Sequence, residues 1–289
     1  MGSAAPSVAT SWRVRGQTFD VARRALVMGV LNVTPDSFSE KGRYADPGAA
    51  LERALAMVEE GADLIDVGGE STRPGSATVP VDEEIARIRP VLERLVPACR
   101  VPISIDTRKT DVARVALELG AGVLNDVSGL RADPAGGGGH ERARLAAMHG
   151  AGLVLMHMQG EPATMQKDPR YDNVVSEVKG FLFDAARRAS EAGVPRDSIA
   201  LDPGVGFGKA FDHSLALLRG VGDLAAAGYP VLIGVSRKSF FSKFELELDQ
   251  RLEAGLAAAA VCVLRGARIV RTHDVRATCR ALRVVEALL

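Results

Sequence analysis

Two kinds of polar side chain stand at the ends of short apolar runs along the chain, and the first kind could bind a planar heterocycle. Asp106, Asn125 and Asp202 each close a run rich in Val, Ile and Leu. Carboxylates in a largely apolar cup need hydrogen-bond donors, because an unpaired buried polar group costs a few kcal/mol. A ligand with a row of N–H groups, such as an aminopyrimidine edge, would supply them. One such residue alone fits a helix cap or a turn, but three at converging run ends favour a pocket for a ring.

The second kind could bind an anion. It comprises amide, hydroxyl and cationic side chains that follow the first two and the last two apolar runs: Asn32, Thr72, Arg73, Lys238, Arg271 and His273. Arg271 and His273 would project to the same side of a strand, because side chains alternate between its two faces. Asn32 offers an amide oxygen suited to a hard cation such as Mg²⁺. The set predicts a site that holds a leaving pyrophosphate, whereas Arg237 fits an ordinary solvated loop charge.

Eight strand–helix pairs must position these side chains. Strands are predicted near 26–31, 63–67, 101–105, 122–125, 152–156, 199–201, 231–235 and 268–271. Helices are predicted near 47–61, 81–96, 109–120, 140–149, 171–193, 211–227, 249–266 and 274–288. This order predicts an α/β fold, a (β/α)8 TIM barrel, in which the carboxyl ends of all the strands meet at one mouth. Apolar runs without strict alternation suit a parallel sheet that is covered by helices.

The chain is predicted to form one domain over residues 11–289. Residues 11–25 alternate in polarity around Arg15-Gly16-Gln17 and predict a short N-terminal hairpin under the barrel. Residues 1–10 lack both a basic start and an apolar core, so they predict a disordered tail and not a signal peptide.

Unequal loop lengths indicate two binding loops. The connections at 32–46 and 68–80 are long and rich in Gly, Ser, Thr and Pro, and we expect both to be mobile without ligand. The glycine run at 136–139 predicts a plain surface linker. The helix predicted near 249–266 is apolar on nearly all sides, so we expect a second subunit to cover it in a homodimer.

Composition argues against several classes of partner. The 289 residues include 36 basic and 36 acidic side chains, a formal net charge of +0 that gives no electrostatic case for nucleic acid or an anionic membrane. An uninterrupted apolar stretch of about 18 residues, as a membrane span requires, is also missing. Cys99, Cys262 and Cys279 are far apart in the sequence. They predict reduced thiols in a cytoplasmic protein, and neither disulfides nor a zinc site.

Several common catalytic motifs are missing from the sequence. Gly204–Lys209 has the glycines of a phosphate loop, but their spacing is wrong and no Ser or Thr follows the lysine. The sequence has no His-x-His pair for a barrel metallohydrolase and no nucleophile elbow. Lys238 could in principle form a Schiff base, but the adjacent arginine and Asp202 favour a hydrogen-bonding role.

Eight motifs together resemble the dihydropteroate synthase family of pterin-binding enzymes. They are Met28–Ser39 (MGVLNVTPDSFS), Asp66–Gly75 (DVGGESTRPG), Ser104–Thr107, Asn125–Ser128, Leu155–Gly160, Leu201–Gly204, Ser236–Ser239 and Arg271–Val275. The resemblance runs from about residue 26 to the end, in the family's order. The two long motifs are highly specific, whereas the Asp-Pro-Gly turn alone is not.

The resemblance implies a reaction of folate biosynthesis and a target of sulfonamides. In that reaction 6-hydroxymethyl-7,8-dihydropterin diphosphate condenses with 4-aminobenzoate and releases pyrophosphate. The implied course is dissociative: pyrophosphate leaves first, and the arylamine attacks a pterin methylene cation inside loops that exclude water. The catalytic residues that the resemblance implies are Asn32, Glu40, Lys238, Arg271 and His273.

The resemblance also implies three groups of substrate-binding residues. The pterin ring would contact Asp106, Asn125, Asp202 and Lys238, with Met156, Phe207 and Arg271 against its faces, and Gly234 is a further substrate-binding residue. The diphosphate would contact Asn32, Thr72, Arg73, Arg271 and His273, with Mg²⁺ as cofactor and Asn32 as its protein ligand. The aminobenzoate would lie near Phe38, Thr72, Pro74, Lys238 and Ser239. Asp66 is expected to support the second loop, and Glu40 stands where many family members have the aspartate of Asp-Gly-Gly.

Two other functions use the same pocket. A methyltetrahydrofolate-dependent methyltransferase would need the Asp/Asn/Asp cradle but neither Ser236-Arg-Lys nor Arg271-Thr-His, so those motifs count against it. A non-catalytic paralogue that binds pterin would be compatible with the change at Glu40.

Overall fold

Eight of the ten strands form a closed parallel barrel in the computed structural model, which describes residues 8–34, 46–72, 75–133, 136 and 138–288. The other two, β1 (Ser11–Val14) and β2 (Gln17–Asp20), pair as an antiparallel hairpin. The barrel strands are β3 (Leu26–Asn32), β4 (Leu64–Gly68), β5 (Ile103–Asp106), β6 (Val123–Asp126), β7 (Gly152–Met156), β8 (Ile199–Asp202), β9 (Val231–Ile233) and β10 (Ala267–Thr272). They pair in chain order, and β10 closes the ring against β3.

Helices follow the barrel strands and cover the barrel from outside. They are α1 (Pro47–Glu60), α2 (Val81–Ala98), α3 (Thr110–Glu118), α4 (Gly139–Met148), α5 (Val174–Glu191), α6 (Phe211–Arg219), α7 (Val221–Ala225), α8 (Arg251–Leu264) and α9 (Val275–Glu286). The predicted (β/α)8 barrel is thereby confirmed. None of the helices in the described ranges is long and apolar enough to cross a membrane.

Some predicted boundaries are wrong, for local reasons. One helix was expected over 211–227, but α6 and α7 are separated at Gly220, a residue type that weakens a helix interior. The fifth helix begins at Val174 and not at 171, because the Asn173 side chain caps it by accepting from the Ser176 amide at 3.0 Å.

The hairpin closes the bottom of the barrel, as predicted. Trp12 and Val14 are buried in one apolar cluster with residues of seven barrel strands: Leu26, Met28, Leu64, Val123, Val154, Ala200, Leu232 and Ile269. The Trp12 indole N–H donates to the Ser198 carbonyl at 3.1 Å. Gly152 permits the close approach, because a Cβ there would come within 3.0 Å of both Trp12 and Val14.

Two expectations near chain connections need correction. Thr10 was assigned to a disordered tail, but its carbonyl accepts from the Val21 amide at 2.9 Å and so joins the hairpin. Gly139 was assigned to a surface linker, but it is buried at the start of α4, where a Cβ would lie 2.0 Å from the Leu130 carbonyl oxygen. The predictions for the tail, the two long loops and the glycine linker also involve residues that the structure does not describe. These residues are 1–7, 35–45, 73–74, 134, 135 and 137.

Candidate active site at the barrel mouth

The last inward-facing positions of the barrel strands form a polar layer above the apolar floor. Inward and outward side chains alternate along a strand, so the residue two positions after a floor residue also faces inward. Those positions include Asp66 after Leu64, Asn125 after Val123, Met156 after Val154, Asp202 after Ala200, Gly234 after Leu232 and Arg271 after Ile269. Asn32 and Asp106 occupy the corresponding ends of β3 and β5.

Arg271 links carboxylates of two other strands in this layer. Its Nε donates to Asp66 Oδ2 at 2.6 Å, and its Nη2 donates to Asp106 Oδ2 at 2.8 Å. The Asn125 side-chain amide donates to the same Asp66 oxygen at 3.1 Å. We expected Asp66 to support the second loop, but its contacts instead orient Arg271 and Asn125 inside the mouth.

The remaining oxygen of each carboxylate makes this layer a site for hydrogen-bond donors. Asp66 Oδ1 and Asp106 Oδ1 are buried and have no hydrogen-bond partner among the described residues. Burial raises the pKa of Asp106 to about 7, and the Arg271 guanidinium opposes that rise. Buried polar atoms are nearly always paired, so these two oxygens leave hydrogen-bonding capacity for donors in the polar layer.

Asp202 is fixed by a turn that requires glycine. Its Oδ1 accepts from the Gly204 amide at 2.7 Å. Gly204 has φ +65°, and a Cβ there would come within 1.9 Å of the His157 carbonyl oxygen, so only glycine fits. Burial raises the pKa of Asp202, and the Gly204 hydrogen bond opposes the rise.

An aromatic ring and thioether side chains flank the carboxylates. Met156 is buried in a cluster with Val127, Met158 and Met165, and Phe207 packs against that cluster. The Lys238 ammonium lies 4.1 Å from the centroid of the Phe207 ring. Burial lowers the pKa of Lys238 to about 8, while the charge of Asp202 opposes this shift. The mouth therefore has an apolar wall beside its hydrogen-bonding groups, as a flat polar ring requires.

A second group of predicted residues lines a cavity of about 260 Å³. Asn32 and His273 both line it, together with Arg53, Arg237 and Arg276. The His273 Nδ1 lies 3.1 Å from the Ser236 hydroxyl, which fixes the ring. Glu60 and Asp274 also line the cavity and pair with Arg53 and Arg237, so the wall has an excess of basic over acidic side chains, which suits an anion.

Arg237 is not the solvated loop charge that the sequence suggested. Its Nη2 donates to Asp274 Oδ1 at 2.6 Å and its Nε donates to Asp274 Oδ2 at 3.2 Å, a two-point contact across the last two βα connections. The pair holds the Ser236–Ser239 turn beside His273.

The other predicted site residues lie around the rim or beyond the described chain. Thr72 is half-buried after β4, and Ser239 is exposed at the start of a short 3-10 helix, Ser239–Phe244. A Cβ at Gly234 would lie 3.9 Å from the Arg271 Cβ, so this glycine adjoins the arginine. The four remaining predicted residues lie outside the described ranges: Phe38, Glu40, Arg73 and Pro74.

Sequence reasoning missed a buried lysine–histidine contact behind the mouth. The Lys209 ammonium lies 3.0 Å from His157 Nδ1 and donates to the Phe207 carbonyl at 2.9 Å. Burial lowers the pKa of Lys209 to about 7, and burial with the nearby lysine lowers the pKa of His157 to about 3. The signal was the glycine-rich Gly204–Lys209 segment, which is a turn that supports Phe207.

Comparison with known families agrees with this geometry. A family model described as pterin binding enzyme matches residues 28–273, which span the barrel from its first strand to the end of its last. The fold and the mouth therefore define a barrel enzyme of the pterin-binding class.

Individual relatives indicate which family of the pterin-binding class the chain belongs to. The dihydropteroate synthase of Escherichia coli K12 is 42% identical over 264 residues, covering 91% of each chain. A crystal structure of Yersinia pestis dihydropteroate synthase in a sulfonamide drug complex has a TM-score of 0.89 at 39% identity, covering 96% of this chain and 98% of that one. The Thermus thermophilus enzyme in complex with 4-aminobenzoate has a TM-score of 0.84 at 47% identity, covering 96% and 100%. The chain belongs to the dihydropteroate synthase family.

Proposed function

We propose that the protein condenses 6-hydroxymethyl-7,8-dihydropterin diphosphate with 4-aminobenzoate to give 7,8-dihydropteroate and pyrophosphate. The observation that carries the proposal is the unpartnered buried oxygen Asp106 Oδ1 beside Arg271, whose guanidinium Asp66 orients. An acceptor without a donor suits a ring edge of N–H groups, and the cationic wall suits its diphosphate. The Thermus thermophilus relative that binds 4-aminobenzoate supports the identity of the second substrate.

The pterin ring would lie in the polar layer. Asp106, Asn125 and Asp202 would hydrogen-bond its edge, and Met156 and Phe207 would contact its faces. On binding, a ring N–H group would pair with the free Asp106 oxygen and remove the cost of leaving that oxygen unpaired. Arg271 would stack on the ring while Asp66 holds its guanidinium.

The diphosphate would lie against the wall formed by Asn32 and His273. No three His, Cys, Asp or Glu side chains in the described ranges are grouped closely enough to hold a metal ion by themselves. Mg²⁺ commonly uses one or two protein oxygens together with the phosphate oxygens of its substrate. The single amide oxygen of Asn32 fits that use, and a bound Mg²⁺ would neutralise charge on the leaving group.

The reaction would be dissociative. The bond between the pterin methylene carbon and the diphosphate oxygen breaks first, and Arg271 and His273 stabilise the departing anion. The arylamine nitrogen then bonds to the methylene carbon and loses a proton to water. The described part of the mouth has side chains that can bind an anion and no evident strong base. This is consistent with loss of pyrophosphate before attack of the arylamine. Lys238, Ser239 and Thr72 would position the arylamine below the two long loops.

Pyrophosphate release tests the proposal. The protein with Mg²⁺ and both organic substrates should release pyrophosphate in step with dihydropteroate. A methyltransferase would bind the pterin without this release, and a non-catalytic paralogue would bind it without turnover. A dissociative course also predicts that ¹⁸O placed in the oxygen between the methylene carbon and the diphosphate exchanges into nonbridging phosphate positions without arylamine. A concerted displacement would leave the label in place.

We further infer a homodimer in a reducing compartment such as the cytoplasm. Val261 and Leu264 on α8 are 46% and 51% exposed, and Val284 on α9 is 64% exposed. Exposed apolar side chains on neighbouring helices suit an interface between copies of the chain. All three cysteines are free, which supports the compartment. Light scattering of the native protein and of Val261→Glu would test the dimer: the native protein should have twice the mass of the variant.

A further inference from the structure

A buried lysine beside the barrel mouth has no part in the function proposed above. Lys109 lies three residues after Asp106, just before α3, and is 2% exposed. Its ammonium lies 2.8 Å from Glu70 Oε2, pairs with Glu84 Oε2, and donates to the Val79 carbonyl at 2.6 Å. The ammonium therefore has two hydrogen-bond acceptors, Val79 and Glu84, and an ion pair with Glu70.

Two of these partners belong to opposite limbs of the second loop. Glu70 lies on the outgoing limb, two residues after β4 ends, and Val79 lies on the returning limb, two residues before α2 begins. The Val79 amide donates to Glu70 Oε1 at 3.3 Å, which joins the limbs directly. Lys109 thus closes the base of a loop that carries Thr72 and ties it to the end of β5.

The base of the loop is also packed tightly against α2. A Cβ at Gly69 would come within 2.7 Å of Ile88 and 2.9 Å of Glu84, so backbone and helix are in direct contact. The Arg87 guanidinium donates to the Gly69 carbonyl at 2.9 Å. The loop base therefore has little freedom to shift while these contacts hold.

Stability alone gives a weak reason for this cluster. One ammonium faces two carboxylates, so the buried group carries an excess negative charge, and burial raises the pKa of Glu84. Buried ion clusters are often no more stabilising than apolar side chains of similar volume. The cluster supplies directional contacts that link Glu70, Val79 and Lys109. An apolar cluster could not supply them.

We propose that Lys109 is a positioning residue for the arylamine subsite. By holding the base of the second loop to the end of β5, it fixes the distance between Thr72 on the loop and Asp106 on the strand. The inference rests on the proposed function, in which Thr72 contacts 4-aminobenzoate and Asp106 contacts the pterin ring.

Two isosteric variants give a matched test. Glu70→Gln and Glu84→Gln each remove one buried carboxylate charge next to the same ammonium and leave side-chain size unchanged. Glu70→Gln weakens the link to the loop, whereas Glu84→Gln leaves that link intact. We expect Glu70→Gln to raise the KM for 4-aminobenzoate by about tenfold, because the variant loses the buried ion pair between Glu70 and Lys109. For Glu70→Gln, we expect the KM for the pterin diphosphate and the kcat to change by less than about twofold. For Glu84→Gln, we expect both KM values and the kcat to change by less than about twofold.

Hydrogen exchange over residues 69–80 gives a readout that does not depend on catalysis. The amides of this segment should exchange faster in Glu70→Gln than in Glu84→Gln or the unmodified protein. Thermal melts of both variants will show whether each is folded. Equal exchange in the two variants would overturn the inference, as would equal changes in KM for 4-aminobenzoate. If the unmodified protein releases no pyrophosphate, the proposed function fails, and the exchange comparison separately decides whether the contact between Glu70 and Lys109 holds the base of the loop.

Discussion

Arg271 and Asp66 are 205 positions apart in the chain, yet the Arg271 Nε donates to Asp66 Oδ2 at 2.6 Å. The same oxygen accepts from the Asn125 amide at 3.1 Å, so one carboxylate ties together the ends of β4, β6 and β10. A guanidinium held on one side by a fully buried carboxylate has its direction set before a ligand arrives. Orientation that is fixed in advance is what makes a charged group effective in stabilising a leaving group.

Arg271→Ala should lower kcat by at least about 100-fold, because the variant loses the oriented charge that stabilises departing pyrophosphate. Steady-state pyrophosphate release measures the effect. Arg187→Ala is the matched control, since Arg187 is 59% exposed and pairs only with surface acids of its own helix. Near-normal turnover of Arg271→Ala would remove this arginine from the reaction.

Asp202→Asn should weaken pterin binding by about tenfold or more while leaving the fold intact. The asparagine oxygen can still accept from the Gly204 amide, so the turn is preserved. The other atom becomes an NH₂ donor, which would oppose a ring N–H. Calorimetric titration with a pterin lacking the diphosphate gives the affinity. An unchanged affinity together with an unchanged melting temperature would contradict the role of Asp202.

Pterin binding should depend on pH with a maximum between about 7 and 8. Burial raises the pKa of Asp106 to about 7, so below that pH its carboxyl is protonated and loses an acceptor. Burial lowers the pKa of Lys238 to about 8, so above that pH its amine is neutral and loses charge. Affinity should therefore fall on both sides of the maximum.

Two variants assign the limbs of this profile. Asp106→Asn should flatten the acid limb, and Lys238→Met should flatten the alkaline limb. Any titration of the ligand itself would persist in both variants and so be recognised. A profile that keeps both limbs in both variants would show that other groups control it.

Trp12→Ala should lower the free energy of unfolding by about 3 to 5 kcal/mol, because a buried indole is lost and a cavity is left under the barrel. The Ser198 carbonyl also loses its indole donor. Denaturant unfolding monitored by circular dichroism measures the loss. Trp12→Phe keeps much of the buried area and should cost less; equal costs would mean that filling the floor does not matter.

Much of the fold and the polar layer could be predicted because both depend on periodicity. Leu64 and Asp66, or Val123 and Asn125, share a face of a strand, so an apolar residue two positions before a polar one assigns both to the barrel interior. Eight repeats of strand and helix then bring these faces together. The polar ends of the apolar runs and the family motifs together indicated the residues of the mouth, because Leu124 and Asp126 have the same spacing and yet Asp126 pairs with Arg142 of α4.

The pairings within the mouth and behind it could not be predicted in the same way. Nothing local to Arg271 indicates that its partner is Asp66 and not solvent, because that contact depends on closure of the whole ring. Lys109 and Lys209 each follow a strand and resemble ordinary surface lysines, and only the packed elements around them show that both are buried.

The hairpin under the barrel closes the lower end of the polar layer, so substrates would reach this layer from the mouth. If the pterin ring lies in the layer and the aminobenzoate above it, as proposed, the ring must enter first. The order of binding would then follow from the shape of the pocket and would not require any difference in affinity. A small molecule bound at the entrance would block both the entry and the release of substrates without contacting the polar layer.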